Sequence, residues 1–133
     1  MNSGRLIETE ACVAEGMDWL AARCPRMAAA YRLTGPLPLR RNPQGIAQLL
    51  SAIVSQQVSV ASARAIWGRV EAAGLATPGA IARAADEDLR AVGLSRPKQR
   101  YARALAAADI DYDGLRDMAD EEVIATLVAV PGI

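Results

Sequence analysis

The stretch from Leu49 to Ala63 constrains the fold most. Ile46, Leu49, Leu50, Ile53 and Val54 recur at helical spacing and set one wide apolar stripe. Gln56 and Gln57 then interrupt the pattern. Ser59 is a good N-cap, because a serine oxygen accepts an otherwise orphaned first-turn N–H. Behind it Val60, Ala63, Trp67 and Val70 share one helical face. The local fold is therefore helix, tight break, helix. Two long amides at the break point away from both apolar stripes, into a groove or solvent.

The rest of the chain keeps the helical period. Met1 to Ile7 lacks periodicity and is expected to be a disordered start. Thr9 caps a helix to about Arg23, with Cys12, Val13, Met17, Leu20 and Ala21 as its inner face, and Cys24-Pro25 breaks it. A short helix follows with Met27, Ala30, Tyr31 and Leu33 inward. Gly35-Pro36-Leu37-Pro38 then opens an extended linker that Leu37 and Leu39 anchor. Asn42-Pro43 reads as a cap followed by proline at the first helical position. Gly74 stops the helix begun at Ser59, and Thr77-Pro78 opens a short helix with Ile81 inside. Asp86 caps another, carrying Leu89 and Val92 and closed by Gly93. Ser95 starts the helix of Tyr101, Ala102, Leu105 and Ala108. Asp111 to Met118 is a loop or a short helical turn. Ala119 or Asp120 starts the last helix, with Val123, Ile124 and Leu127 inside and Asp120, Glu121 and Glu122 at the positive end of its dipole.

The expected fold class is all-α: about eight helices, no strand of four or more residues, no internal repeat, and one helical domain over residues 1–133. Ile46, Leu50, Ile53, Trp67, Val70, Leu89, Leu105, Ile124 and Leu127 should be buried together, and Trp19 should also be core. Composition agrees: hydrophobic residues make up 52%, many of them alanine, with no phenylalanine, which favours close-packed helices over a sheet.

Several function classes drop out. No apolar run approaches the roughly 20 residues of a membrane span, and the N-terminus lacks a signal-peptide pattern. No membrane partner and a cytoplasmic location are expected. Cys12 and Cys24, with no histidine, are too few for a zinc site and are expected to be reduced thiols. Without histidine no serine triad forms. Asp109, Asp111 and Asp113 lack the glycine and terminal glutamate of a calcium loop. A net charge of zero argues against nucleic acid, but the distribution argues otherwise. Residues 40–108 hold ten basic against four acidic residues, and residues 109–133 hold one against seven. For any single charge, a solvated helix face is the ordinary reading.

Ile53-Val54-Ser55-Gln56-Gln57-Val58-Ser59-Val60-Ala61-Ser62-Ala63 resembles the signature of the DNA-3-methyladenine glycosylase II family, a branch of the helix-hairpin-helix DNA glycosylases. Gly93-Leu94-Ser95-Arg96-Pro97-Lys98-Gln99-Arg100-Tyr101 resembles the family's Gly-Leu-Ser-x-x-Lys-x-x-Tyr stretch, and Leu127 to Ile133 resembles the opening of its hairpin. The likeness runs roughly from Met17 to Ile133. It implies a multi-helix bundle of the helix-hairpin-helix glycosylase type and base-excision repair. The reaction implied is hydrolysis of the N-glycosidic bond of alkylated purines such as 3-methyladenine in duplex DNA, without a cofactor or metal. It further implies that the protein is nucleoid-associated when on DNA.

The resemblance makes Gln56, Gln57, Ser59, Pro131, Gly132 and Ile133 the DNA-binding set. Gln57 is the plug that fills the gap left by an extruded base, and Gln56 supports the turn or meets the estranged base. The Pro-Gly-Ile turn lets backbone N–H groups approach a phosphate, which positions DNA without reading its sequence. Read without the resemblance, the two amides cap a helix end and Pro131-Gly132 is an ordinary helix terminus. Lys98, Arg96 and Arg100 are phosphate-facing or solvated, with solvated preferred, and Tyr101 is core.

One departure matters. The family's second hairpin half, the following helix and the catalytic aspartate are expected beyond Ile133, and no carboxylate in residues 1–133 matches that aspartate. The 133 residues are thus expected to be a truncated front part, inactive alone, with an apolar face on the last helix that invites association. The alternatives are a non-catalytic helical DNA-binding module and a helical protein-interaction domain.

Overall fold

The computed structural model describes residues 5–133. The first four residues of the expected disordered start lie outside the described residues. Among the described residues there are eight α-helices: α1 Glu10–Arg23, α2 Pro25–Thr34, α3 Ile46–Ser55, α4 Val60–Ala72, α5 Pro78–Arg83, α6 Asp86–Ala91, α7 Arg96–Ala107 and α8 Asp120–Val128. A 3-10 turn, Gly114–Asp117, precedes α8, and no strand occurs among the described residues. The chain forms two compact units, Met1–Asn42 and Pro43–Ile133.

The first unit is the pair α1 and α2. Thr9 caps α1 as expected, its hydroxyl accepting the Cys12 N–H at 3.3 Å. Pro25, lacking a donor, occupies the first position of α2, where none is needed. Met17 is buried between the helices, with Val13, Ala21, Met27 and Tyr31 half-buried. Trp19 is not core. It is 55% exposed, and the Arg23 guanidinium lies 4.0 Å over its ring. Two residues turn a helix by about 200°, so Trp19 cannot share the inner face set by Met17. Leu20, Ala30, Leu33 and Leu37 are likewise exposed, while Leu39 is half-buried. The start is tied down from Arg5 on, whose guanidinium pairs with Glu15 at 2.8 Å.

The second unit has one core. Leu50, Ile53 and Val54 of α3 meet Val70 of α4, Ile81 of α5, Leu89 of α6 and Ala102 and Leu105 of α7. Leu75, Val92, Leu94 and Val130 close it from the loops, and Ile46 and Trp67 pack on its edge. Each fully buried leucine here is worth on the order of 2–5 kcal/mol over alanine. Helix α7 touches α3, α5 and α6 and so orients the other helices. Arg103 on α7 reinforces this. Its guanidinium donates to the carbonyls of Ile81 (3.0 Å) and Ala84 (2.8 Å) and to Asp86 Oδ1 (2.7 Å).

Three expectations need correction. Asn42-Pro43 does not start α3. Gly45 has φ 112°, outside helical space, so the helix begins only at Ile46. Asp86 is not the cap of α6. Ala85 holds that place, and Asp88 Oδ2 accepts its N–H at 3.1 Å. Ile124 is not buried. On α8 the half-buried side holds Val123 and Leu127, whereas Ile124 and Val128 are each 60% exposed, because nothing among the described residues covers them.

Cys12 offers a test of the first unit. Both cysteines are free. The Cys12 thiol is lowered to about 7, first by the Thr9 hydroxyl 3.2 Å away, then by backbone N–H groups, and least by Arg5. Only the thiolate attacks an alkylating agent, so reactivity rises as pH passes upward through the pKa. In a Cys24→Ser background, the rate of iodoacetamide labelling should have its midpoint near pH 7, and Thr9→Val should move it upward. A midpoint at the ordinary thiol value of about 8.5 in the Cys24→Ser chain with Thr9 intact would contradict the geometry.

Candidate nucleic-acid interface

A helix leaves its last carbonyls without intrahelical partners. At the end of α3 those carbonyls are met from another helix. Lys98, in the first turn of α7, donates from Nζ to Val54 O and to Gln56 O, each at 2.7 Å. Lys98 is therefore neither solvated nor turned to a ligand. It is half-buried, and its charge sits at the negative end of the α3 dipole.

The chain then makes its break. Gln56 is extended (φ −63°, ψ 134°), and Gln57 follows at φ 61°. Among the described residues Gln57 is the one non-glycine with positive φ. That backbone costs a residue with a Cβ about 1–2 kcal/mol. Gln56, Gln57 and Val58 are all exposed. Ser59 ends the break as expected, accepting the Ser62 N–H at 3.1 Å to cap α4. A strained residue thus carries an exposed amide between two helices whose facing ends are each fixed by a hydrogen bond.

The chain's last turn lies against this break. Val130 is buried and its N–H reaches Leu127 O at 3.0 Å, so the turn leaves α8 from the core. Pro131 is exposed and Gly132 adopts φ 97°. A side chain at 132 is excluded, because its Cβ would lie 2.7 Å from Tyr101 Cβ. Gln56 Nε2 donates to Gly132 O at 2.8 Å, joining two turns 76 residues apart.

The six residues assigned from the sequence therefore divide by what they do in the free chain. Gln56 spends its amide nitrogen holding Gly132, and the Ser59 oxygen is a cap. The Ile133 N–H is taken by Val130 O at 3.2 Å. Gln57 and Pro131 remain exposed, and the Gly132 N–H meets no acceptor among the described residues. Arg96 and Arg100 are exposed and line a groove with Asp86, Glu87, Arg90 and Arg103, on the side of α7 away from Lys98. Sequence reading missed two features: the Lys98 clamp and the fit of Tyr101 against Gly132. One signal was available. Lys98 is the single lysine in a chain with fourteen arginines. Among the described residues no group of acidic or cysteine side chains is arranged to hold a metal.

A helix-only fold carrying a glycine turn beside an exposed helix–helix break defines a class. Residues 50–128 match the HhH-GPD superfamily base excision DNA repair protein family, and the chain belongs to that superfamily. It is similar to a solved DNA-3-methyladenine glycosidase from Bacillus halodurans, with 31% identity and a TM-score of 0.67. That likeness covers 95% of this chain and 58% of the other. It is also similar to a Schizosaccharomyces pombe 3-methyladenine DNA glycosylase solved in complex with abasic DNA, with 25% identity and a TM-score of 0.72, covering 90% of this chain and 64% of that one. The chain thus spans about three fifths of the length of these relatives. No curated protein matches it significantly.

The strain at Gln57 predicts opposite effects on stability and function. Gln57→Gly removes about 1–2 kcal/mol of backbone strain and returns part of it, about 0.4–1 kcal/mol, as unfolded-state entropy. Urea denaturation should show the variant stabilised by about 0–1.6 kcal/mol. A clear loss of stability would mean that the Gln57 side chain holds the fold, not that it is displayed by it.

Proposed function

We propose that this chain supplies the lesion-probing face of a base-excision DNA glycosylase that hydrolyses the N-glycosidic bond of alkylated purines, such as 3-methyladenine, in duplex DNA. The observation that carries the reading is Gln57: an exposed amide on a strained, fixed break, hydrogen-bonded through its neighbour to a glycine turn. Extruding a base costs a few kcal/mol of stacking and pairing. A side chain carried into the gap by a fixed turn offsets that cost, and an amide can both donate to and accept from the orphaned partner base. The Gly132 N–H, with no side chain to obstruct it, suits a phosphate oxygen nearby. The relatives support this reading, since one is a 3-methyladenine glycosidase and the other is bound to abasic DNA. The basic excess over residues 40–108 also supports it.

Hydrolysis itself needs a carboxylate to support the developing charge on the sugar. None in residues 1–133 matches the family's aspartate, so these residues by themselves bind and do not turn over. The exposed Ile124 and Val128 of α8 supply an apolar face through which the chain associates.

Binding of the 133-residue chain to a duplex with a tetrahydrofuran abasic analogue, against the same duplex undamaged, tests this. Preference for the damaged duplex is expected, weakened by rising salt. Gln57→Ala should cost on the order of 1–3 kcal/mol of that preference. Equal affinity for both duplexes, or no effect of Gln57→Ala, removes the plug. Multiple-turnover release of 3-methyladenine by these residues would show that another carboxylate does the chemistry.

A further inference from the structure

We propose that Lys98 is a positioning residue for Gln57: its ammonium fixes the break in the shape that presents the Gln57 side chain to DNA. This deepens the reading of Gln57 as a plug and rests on it. The argument is geometric. The φ angle of Gln57 is defined in part by the carbonyl carbon of Gln56. Lys98 Nζ grips the oxygen of that carbonyl at 2.7 Å and the oxygen of Val54, the penultimate residue of α3, at the same distance. The peptide plane leading into Gln57 is thereby locked to the end of α3. On the other side Ser59 fixes the start of α4. With both arms held, a residue with a Cβ is kept at φ 61° against the backbone strain.

The choice of lysine fits the task. An ammonium offers tetrahedral donors from a single atom, so one nitrogen serves two carbonyls, whereas a guanidinium spreads its donors in a plane. Elsewhere the chain uses arginine for cationic positions, as at Arg103, whose two terminal nitrogens reach separate carbonyls. The Lys98 charge is also committed within the protein. Unlike a phosphate-binding lysine, it releases no DNA counterion on binding, and this separates the two roles experimentally.

The test is a double-mutant cycle on the 133-residue chain with Lys98→Met, Gln57→Ala and the pair. The probe is a duplex carrying a tetrahydrofuran abasic analogue opposite 2-aminopurine. Binding constants are measured across a salt series, and 2-aminopurine fluorescence reports the environment of the orphaned base. Lys98→Met should weaken preference for the abasic duplex on the order of tenfold and change the fluorescence of the bound state. In the Gln57→Ala background the same change should matter less than about twofold, since residues that act through each other are not additive. The slope of log K against log salt should not change. A slope smaller by about 0.9 would make Lys98 a phosphate contact and overturn the proposal, as would full additivity. If Gln57→Ala alone has no effect, the plug reading fails and the inference goes with it, whatever Lys98→Met does. Helicity and thermal melting check that each variant folds. If Lys98→Met does not, Lys98→Gln, whose amide reaches one carbonyl, takes its place in the same cycle.

Discussion

The end of α3 sets a problem that the rest of the second unit solves. Its last carbonyls point out of the helix with nothing of their own to accept, and the chain must turn within four residues to start α4. Water would satisfy those carbonyls but leave the turn free to fluctuate. Lys98 satisfies them from α7 and joins the break to the helix that also packs on α5 and α6. Through Tyr101 and Gln56 the same arrangement reaches the Pro131-Gly132 turn. Both candidate DNA-facing turns therefore refer back to one helix, and their relative position is fixed by it.

That rigidity explains why strain is tolerated at Gln57. A left-handed glutamine is a poor choice for stability, and glycine or asparagine would sit there at lower cost. The surrounding bonds hold the residue in place, so the energy is stored in the turn and not relaxed. The backbone of such a turn loses little freedom when it meets a partner, so the ordering cost of binding is confined to the Gln57 side chain. The core of Leu50, Ile53, Leu89 and Leu105 supplies the margin that makes the strain affordable.

Much of this was legible in the sequence. The Thr9, Ser59 and Thr77 caps appear where the pattern placed them, because a hydroxyl before an amphipathic run has one economical use. The Gln-Gln break and the closing Pro-Gly turn were visible as interruptions of a helical period. What escaped were features decided by tertiary neighbours. Lys98 looked solvated because its partners are carbonyls 42 and 44 residues away, and backbone carbonyls leave no mark in sequence. Trp19 and Ile124 looked like core because hydrophobicity reports a capacity for burial, not the presence of something to be buried against. The start of α3 was misplaced because an Asn-Pro start signal was overridden by the backbone of Gly45 two residues on.

The central claim is that the break and the last turn form one face that meets DNA. Backbone amide shifts followed by NMR, as a duplex with an abasic analogue is added to the ¹⁵N-labelled chain, test it most directly. The account predicts the largest changes at Gln57, Val58, Gly132 and Ile133, moving together at one concentration of DNA, with α5 and α6 little affected. Changes centred on the groove of Arg96 and Arg100, with Gln57 and Gly132 silent, would contradict it.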